Sequence, residues 1–153
     1  MDARLDYAKL SMDPVRAMHA LEKYLRSCSL DRSLLELVKI RASQINGCAY
    51  CIDMHTKDAR AAGETEQRIY ALSAWRETPF FNDRERAALA WTEAVTLIPG
   101  GVSDELFDRS RAHFSDQELA DLTWAVAAIN SWNRIAISFR AVPGDYQPSK
   151  TSV

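Results

Sequence analysis

An all-α fold in one domain is predicted, and three observations predict it. Apolar residues recur at three- and four-residue intervals through most of the chain, no segment sustains two-residue alternation between turn signals, and the breaks fall at helix-capping residues. At 153 residues the chain fits one ordinary domain, long enough to bury a core without disulfide staples. We expect about seven helices in a domain over residues 1–142, followed by a mobile tail at 143–153.

Asp13-Pro14 opens the first predicted helix, with Asp as cap and Pro at the first helical position, and Val15, Met18, Leu21 and Leu25 follow at helical spacing. Ser27-Cys28-Ser29 breaks it. Asp31 is the expected cap of the next helix, whose main apolar face carries Leu34, Val38 and Ile45 and which stops at Asn46-Gly47. A helix from about Cys48 to Ala62 ends on Gly63, and Thr65 opens a short one through Leu72. Asn82 with Glu85 has the form of a capping box, and its helix halts at Pro99-Gly100-Gly101. Ser103-Asp104 opens another. Ser115 with Glu118 forms a second capping box and begins the longest apolar segment, Leu119 to Phe139, expected to be central.

Hydrophobic residues make up 47% and charged residues 26%, and the formal charge is -2, so there is no electrostatic footprint for nucleic acid. The polar start Met1-Asp2-Ala3-Arg4-Leu5-Asp6 lacks a signal core, and no run is long and apolar enough to span a membrane. A cytoplasmic location is expected. In a reducing compartment a close cysteine pair reads as catalytic or metal-binding.

That pair is Cys48-Ala49-Tyr50-Cys51, with His55 four residues beyond the second cysteine. Counted along a helix, Cys51 lies about 60° and His55 about 20° from Cys48. The three share a stripe with Ile52, Ala59 and Ala62, the inward face, whereas Asp53, Lys57, Asp58 and Arg60 read as a solvated face. Burial raises a thiol pKa, but first-turn amides and a histidine one turn away favour the thiolate. Cys51 is expected to bond to His55 directly, to attack a hydroperoxide O–O bond and to become a sulfenic acid; Cys48 then condenses with it to a disulfide, which an external dithiol reduces. A metal site of Cys48, Cys51, His55 and one carboxylate stays open as a rival, weakened by the lack of a second ligand pair. Cys28, His19 and His113 read as structural or surface residues.

Glu36-Leu37-Val38, Arg41, Ser43, Asn46-Gly47-Cys48-Ala49-Tyr50-Cys51 and His55, with Asn130-Ser131-Trp132-Asn133-Arg134, make a chain that resembles the alkylhydroperoxidase AhpD-like branch of the carboxymuconolactone decarboxylase superfamily. The resemblance implies an all-α fold assembled as a homotrimer or homohexamer. It implies a thiol peroxidase acting on organic hydroperoxides or hydrogen peroxide, with Cys51 peroxidatic and a proton relay of Glu36, Cys48, Cys51 and His55. No bound cofactor is expected, and a thiol or lipoyl-type reductant is implied as partner. Periodicity alone places Glu36 opposite the apolar face, in a surface pair with Lys39. Tyr50 stands where some members carry histidine and is read as a packing residue. Trp132, Asn133 and Arg134 face different ways on a helix and read mainly as packing and hydrogen-bonding residues. Two alternatives remain: a redox sensor or metal-binding module without turnover, and a decarboxylase-like enzyme using His55 and Glu36 as acid and base.

Overall fold

A computed structural model of the chain describes residues 2–148. It contains α1 (Tyr7–Leu10), α2 (Met12–Ser27), α3 (Arg32–Asn46), α4 (Ala49–Ala61), α5 (Glu66–Ala71), α6 (Asp83–Thr96), α7 (Asp104–Arg111) and α8 (Asp116–Phe139), with short 3-10 turns at Leu72–Glu77 and Ile98–Gly100 and no strand among the described residues. The helix beyond the expected seven is α1, one turn long and capped by Asp6, which accepts from the Lys9 N–H at 3.2 Å. It is too short to register as a periodic pattern. No helix among the described residues is long and apolar enough to cross a membrane.

The helix ends follow local chemistry. Asn82 with Glu85 and Ser115 with Glu118 form complete capping boxes at α6 and α8. Gly47, at φ 71°, takes the left-handed conformation that ends α3 and sends the chain directly into α4, with the Cys48 N–H donating to Ser43 O at 3.0 Å. This tight turn fixes the antiparallel pairing of α3 and α4 on which the site is built.

The central element is α3, which packs against α4, α6 and α8. Every residue from Leu34 to Ile40 is buried. Val38, with Leu25, Trp91, Leu122 and Val126, belongs to the core on the α2, α6 and α8 side; Leu37 and Ile40, with Leu72, Trp75 and Leu89, belong to a second cluster. A helix covered on all sides has no solvent face to give its polar residues. This corrects the surface reading of Glu36 and Lys39: both are buried, at 7% and 6% exposure. The long helix α8 is buried on one side, with Leu122, Val126, Ile129 and Asn133 inside, and exposes Trp124 and Ile137 on the other.

Past α8 the chain folds back over α4. Lys57 Nζ donates to Gly144 O at 2.8 Å and Tyr146 O at 3.1 Å, the Gly144 N–H donates to Asp53 Oδ2 at 3.1 Å, and the Tyr146 hydroxyl donates to Asp58 Oδ1 at 2.8 Å. The segment expected to be a mobile tail is thus hydrogen-bonded as far as Tyr146, because α4 offers it a Lys57–Asp53 pair and a carboxylate. Residues 149–153 lie outside the described residues.

Candidate active site

The α3–α4 turn sets the register of the site. Cys48 is the N-cap of α4 and lies beside Ser43 of α3; one and two turns on, Cys51 and His55 pass the middle of α3, where His55 meets Glu36. Cys48 and Cys51 are 1% and 2% exposed and His55 is 6% exposed. The inward stripe expected from the sequence forms at Cys48, Cys51, His55 and Ala59, whereas Ile52 is half-buried and Ala62, the C-cap of α4, is exposed; both thiols are free.

The thiols divide in character. Around the Cys48 sulfur stand the Cys51 thiol, the Cys51 and Tyr50 backbone N–H groups and Asn133. Together these outweigh burial and bring its pKa down to about 7 from 9.0. Cys51 is pushed up, by donating to Cys48, by burial and by the Cys48 charge, with Asn133 opposing. The pair carries one readily formed thiolate, and its charge settles first on Cys48 at the helix N-terminus. The sequence assigns the attacking thiolate to Cys51; in the structure acidity is lowered at Cys48, first by the Cys51 thiol beside it.

Asn133 is fully buried, donates to Ser43 Oγ at 3.0 Å and accepts from Asn46 Nδ2 at 2.9 Å. This network behind the sulfurs fixes the amide that faces them. Trp132 borders the cavity in front and tilts against His19, with ring centroids 5.5 Å apart. Arg134 is exposed and bonds within α8 to Asn130.

His55 Nδ1 lies 2.8 Å from Glu36 Oε2. Facing a carboxylate, Nδ1 carries the proton and donates it, which leaves Nε2 as the basic nitrogen. No buried side-chain nitrogen or oxygen among the described residues lacks a partner, and His55 has no other hydrogen bond, so Nε2 faces open space. The expected direct bond to Cys51 is absent among the described residues. The imidazole turns toward Glu36 instead, because a buried carboxylate is the stronger acceptor. Burial by itself raises the Glu36 carboxyl, but the His55 hydrogen bond, with the charges of His55, Lys39 and Arg32, holds it below its ordinary 4.5. Lys39 lies 4.0 Å from Glu36 Oε1 and 3.1 Å from Glu22 Oε2, so a buried lysine and its acid stand behind the Glu36–His55 pair.

These groups line a cavity of about 460 Å³. Cys51, His55, Glu36 and Lys39 border it, as do Tyr50, Trp132 and Met54, whereas Cys48 lies behind Cys51. The further lining residues include His19, read as structural or surface and exposed here; Asp58, assigned to the solvated face; Tyr146, in the tail; and Tyr7, on α1. Asp58 follows His55 by three residues on one helix, a spacing that places both on one side; the other three arrive from remote segments and leave no local signal.

Metal-binding potential does not follow the rival set read from the sequence. Among the described residues the group able to surround an ion is Glu36, His55 and Asp58, with ligand atoms within 4.8 Å of one another, and it includes neither cysteine. The Lys39 ammonium beside Glu36 opposes a cation there, and the Tyr146 hydroxyl occupies Asp58.

The family model for carboxymuconolactone decarboxylases matches residues 13–94, which include Glu36, both α4 cysteines and His55. An uncharacterized protein, YdfG of Bacillus subtilis, is 49% identical over 139 residues, covering 90% of this chain and 95% of that protein. ATU0492 of Agrobacterium tumefaciens, a protein of unknown function described as an AhpD antioxidant-defence candidate, superposes with a TM-score of 0.91 at 46% identity, over 95% of this chain and 100% of its own. An uncharacterized peroxidase-related protein of Ralstonia eutropha with an alkylhydroperoxidase AhpD core shares the fold at a TM-score of 0.81 and 23% identity, over 90% of this chain and 74% of its own. The all-helical fold and these matches agree on one conclusion: the chain belongs to the carboxymuconolactone decarboxylase family and has the AhpD-like fold.

Proposed function

We propose that the protein is a cytoplasmic, dithiol-dependent peroxidase of antioxidant defence, reducing organic hydroperoxides or hydrogen peroxide at Cys51. The observation that carries this reading is a thiol on the wall of a cavity, with a second, more acidic thiol behind it and a Glu36-oriented histidine beside it.

The chemistry balances as follows. As the hydroperoxide docks, the Cys51 proton passes to the Cys48 thiolate. The Cys51 sulfur attacks the terminal peroxide oxygen, the O–O bond breaks, and Cys51 becomes a sulfenic acid while an alkoxide leaves. His55, protonated from solvent at Nε2 and steadied by Glu36, delivers a proton to that oxygen. Cys48 then attacks the sulfenic sulfur, releasing hydroxide that leaves as water with the Cys48 proton. An external dithiol of thiol or lipoyl type reduces the disulfide and is itself oxidised to a disulfide. No bound cofactor takes part. The exposed apolar residues Trp124, Ile137, Leu97 and Ile98 suit assembly as a homotrimer or homohexamer.

The test is hydroperoxide consumption with dithiothreitol as reductant. Turnover by the wild type that is lost in Cys51→Ser supports the reading; equal consumption by the two proteins overturns it.

A further inference from the structure

We propose that the cavity selects hydroperoxides that carry a carboxylate, with Arg26 and Arg32 holding the anion while the peroxide reaches Cys51. The reactive end of this proposal rests on the peroxidase reading; the anion end rests on the charges of the cavity itself.

Six formally charged side chains line the cavity besides His55: Glu22, Glu36, Asp58, Lys39, Arg26 and Arg32. Each acid already has a hydrogen-bond donor. Glu22 is held by Lys39 at 3.1 Å, Glu36 by His55 at 2.8 Å and Asp58 by the Tyr146 hydroxyl at 2.8 Å. The lysine is consumed by the first of these pairs. Arg26 and Arg32 are both exposed and have no hydrogen bond or ion pair among the described residues. Arg32 is the first residue of α3, where the helix dipole disfavours a cation, so helix stability does not account for it. The cavity therefore offers an incoming ligand two unengaged guanidinium groups and no unengaged carboxylate. Guanidinium is the side chain best shaped to take a carboxylate, through paired N–H donors.

The spacing fits one ligand spanning both ends. Arg32, Leu35, Glu36 and Lys39 form one stripe of α3 along the cavity. Antiparallel pairing sets Cys48 beside Ser43 and His55 beside Glu36, so Cys51 passes α3 near the level of Lys39. From Arg32 to that level the helix rises about 10 Å. Between the ends, Leu30, Leu35, Val15, Met54 and Trp132 supply apolar wall. A substrate with an anion at one end, an apolar body and a hydroperoxide at the other matches this order.

The experiment compares para-carboxy cumene hydroperoxide with its methyl ester, the same shape without the charge, with dithiothreitol as a fixed, neutral reductant. For the wild type, kcat/KM for the acid is expected to exceed that for the ester by about tenfold, the worth of charge-assisted hydrogen bonds. In a protein carrying both Arg26→Gln and Arg32→Gln the ratio falls to about one. An equal rate for acid and ester in the wild type, or an acid preference that survives the double substitution, overturns the proposal while leaving the peroxidase reading intact. If the wild type consumes neither compound, the peroxidase reading fails, and calorimetry with para-isopropylbenzoate judges the anion site alone. Binding lost in the double variant supports the site; no binding to the wild type overturns it.

Discussion

Two carboxylates of the interior, Glu36 and Glu93, are similar in kind and opposite in use. Both are held below their ordinary 4.5 by hydrogen bonds and nearby positive charges that outweigh burial. Glu93 accepts from Arg41 Nε at 2.8 Å, from the Trp75 indole N–H at 2.9 Å and from Arg76. Its donors never give up their protons near neutral pH. Glu36 accepts from His55, whose second nitrogen faces a cavity with a thiol on its wall. Closed by permanent donors, the half-buried Glu93 ties α3, α6 and the Leu72–Glu77 turn together. Held by a group that can gain and lose a proton, Glu36 is suited to the proposed relay. Burial and a shifted pKa alone do not mark a catalytic acid; the nature of the partner and what lies beyond it do.

Substitutions separate the two roles. The largest effect is expected at the nucleophile: Cys51→Ser lowers peroxide turnover by more than about a thousandfold, measured by peroxide consumption. Glu36→Gln keeps a hydrogen-bonding partner for His55 but removes the charge that steadies the imidazolium, and it lowers kcat/KM by about ten- to a hundredfold. Glu93→Gln does the reverse. Urea unfolding is expected to show a loss of about 2–3 kcal/mol from an arginine cluster left without its anion, with activity per folded molecule near wild type. An activity loss in Glu93→Gln as large as in Glu36→Gln would erase the distinction.

Titration sharpens it. Both carboxyls have folded pKa values below 4.5, so the stability they contribute is complete above that pH and is lost as the pH falls through their folded values. Acid unfolding of either Gln variant should accordingly depend less on pH. The thiol pair titrates separately: with Cys48 lowered to about 7, the ultraviolet absorbance of the thiolate, absent in Cys48→Ser, is expected to rise as the pH passes through 7. The smallest effect is expected at the tail. Tyr146→Phe removes the donor to Asp58 and costs about 1 kcal/mol in unfolding.

The helices were largely legible because their signals are local. Capping boxes at Asn82 and Ser115 and the glycine after Asn46 each act over a few residues, and each marks an observed end. The Cys48, Cys51 and His55 stripe followed from helical geometry on one element. What periodicity missed came from packing between elements. It left Glu36 on a surface that α3 does not possess, since α4, α6 and α8 surround that helix. The resemblance named Glu36 as a relay member, and the geometry shows its partner. Tyr146, His19 and Tyr7 reach the cavity from segments far away in sequence, and the acidity of Cys48 depends first on the Cys51 thiol beside it.

The central claim is a division of labour between the two thiols, with Cys51 meeting the peroxide and Cys48 taking its proton and closing the disulfide. Mass spectrometry after one equivalent of hydroperoxide tests it most directly. The account predicts a Cys48–Cys51 disulfide in the wild type and, in Cys48→Ser, a dimedone-trapped sulfenic acid on Cys51. A sulfenic acid that forms on Cys48 in Cys51→Ser as fast as the wild type forms its disulfide would contradict it.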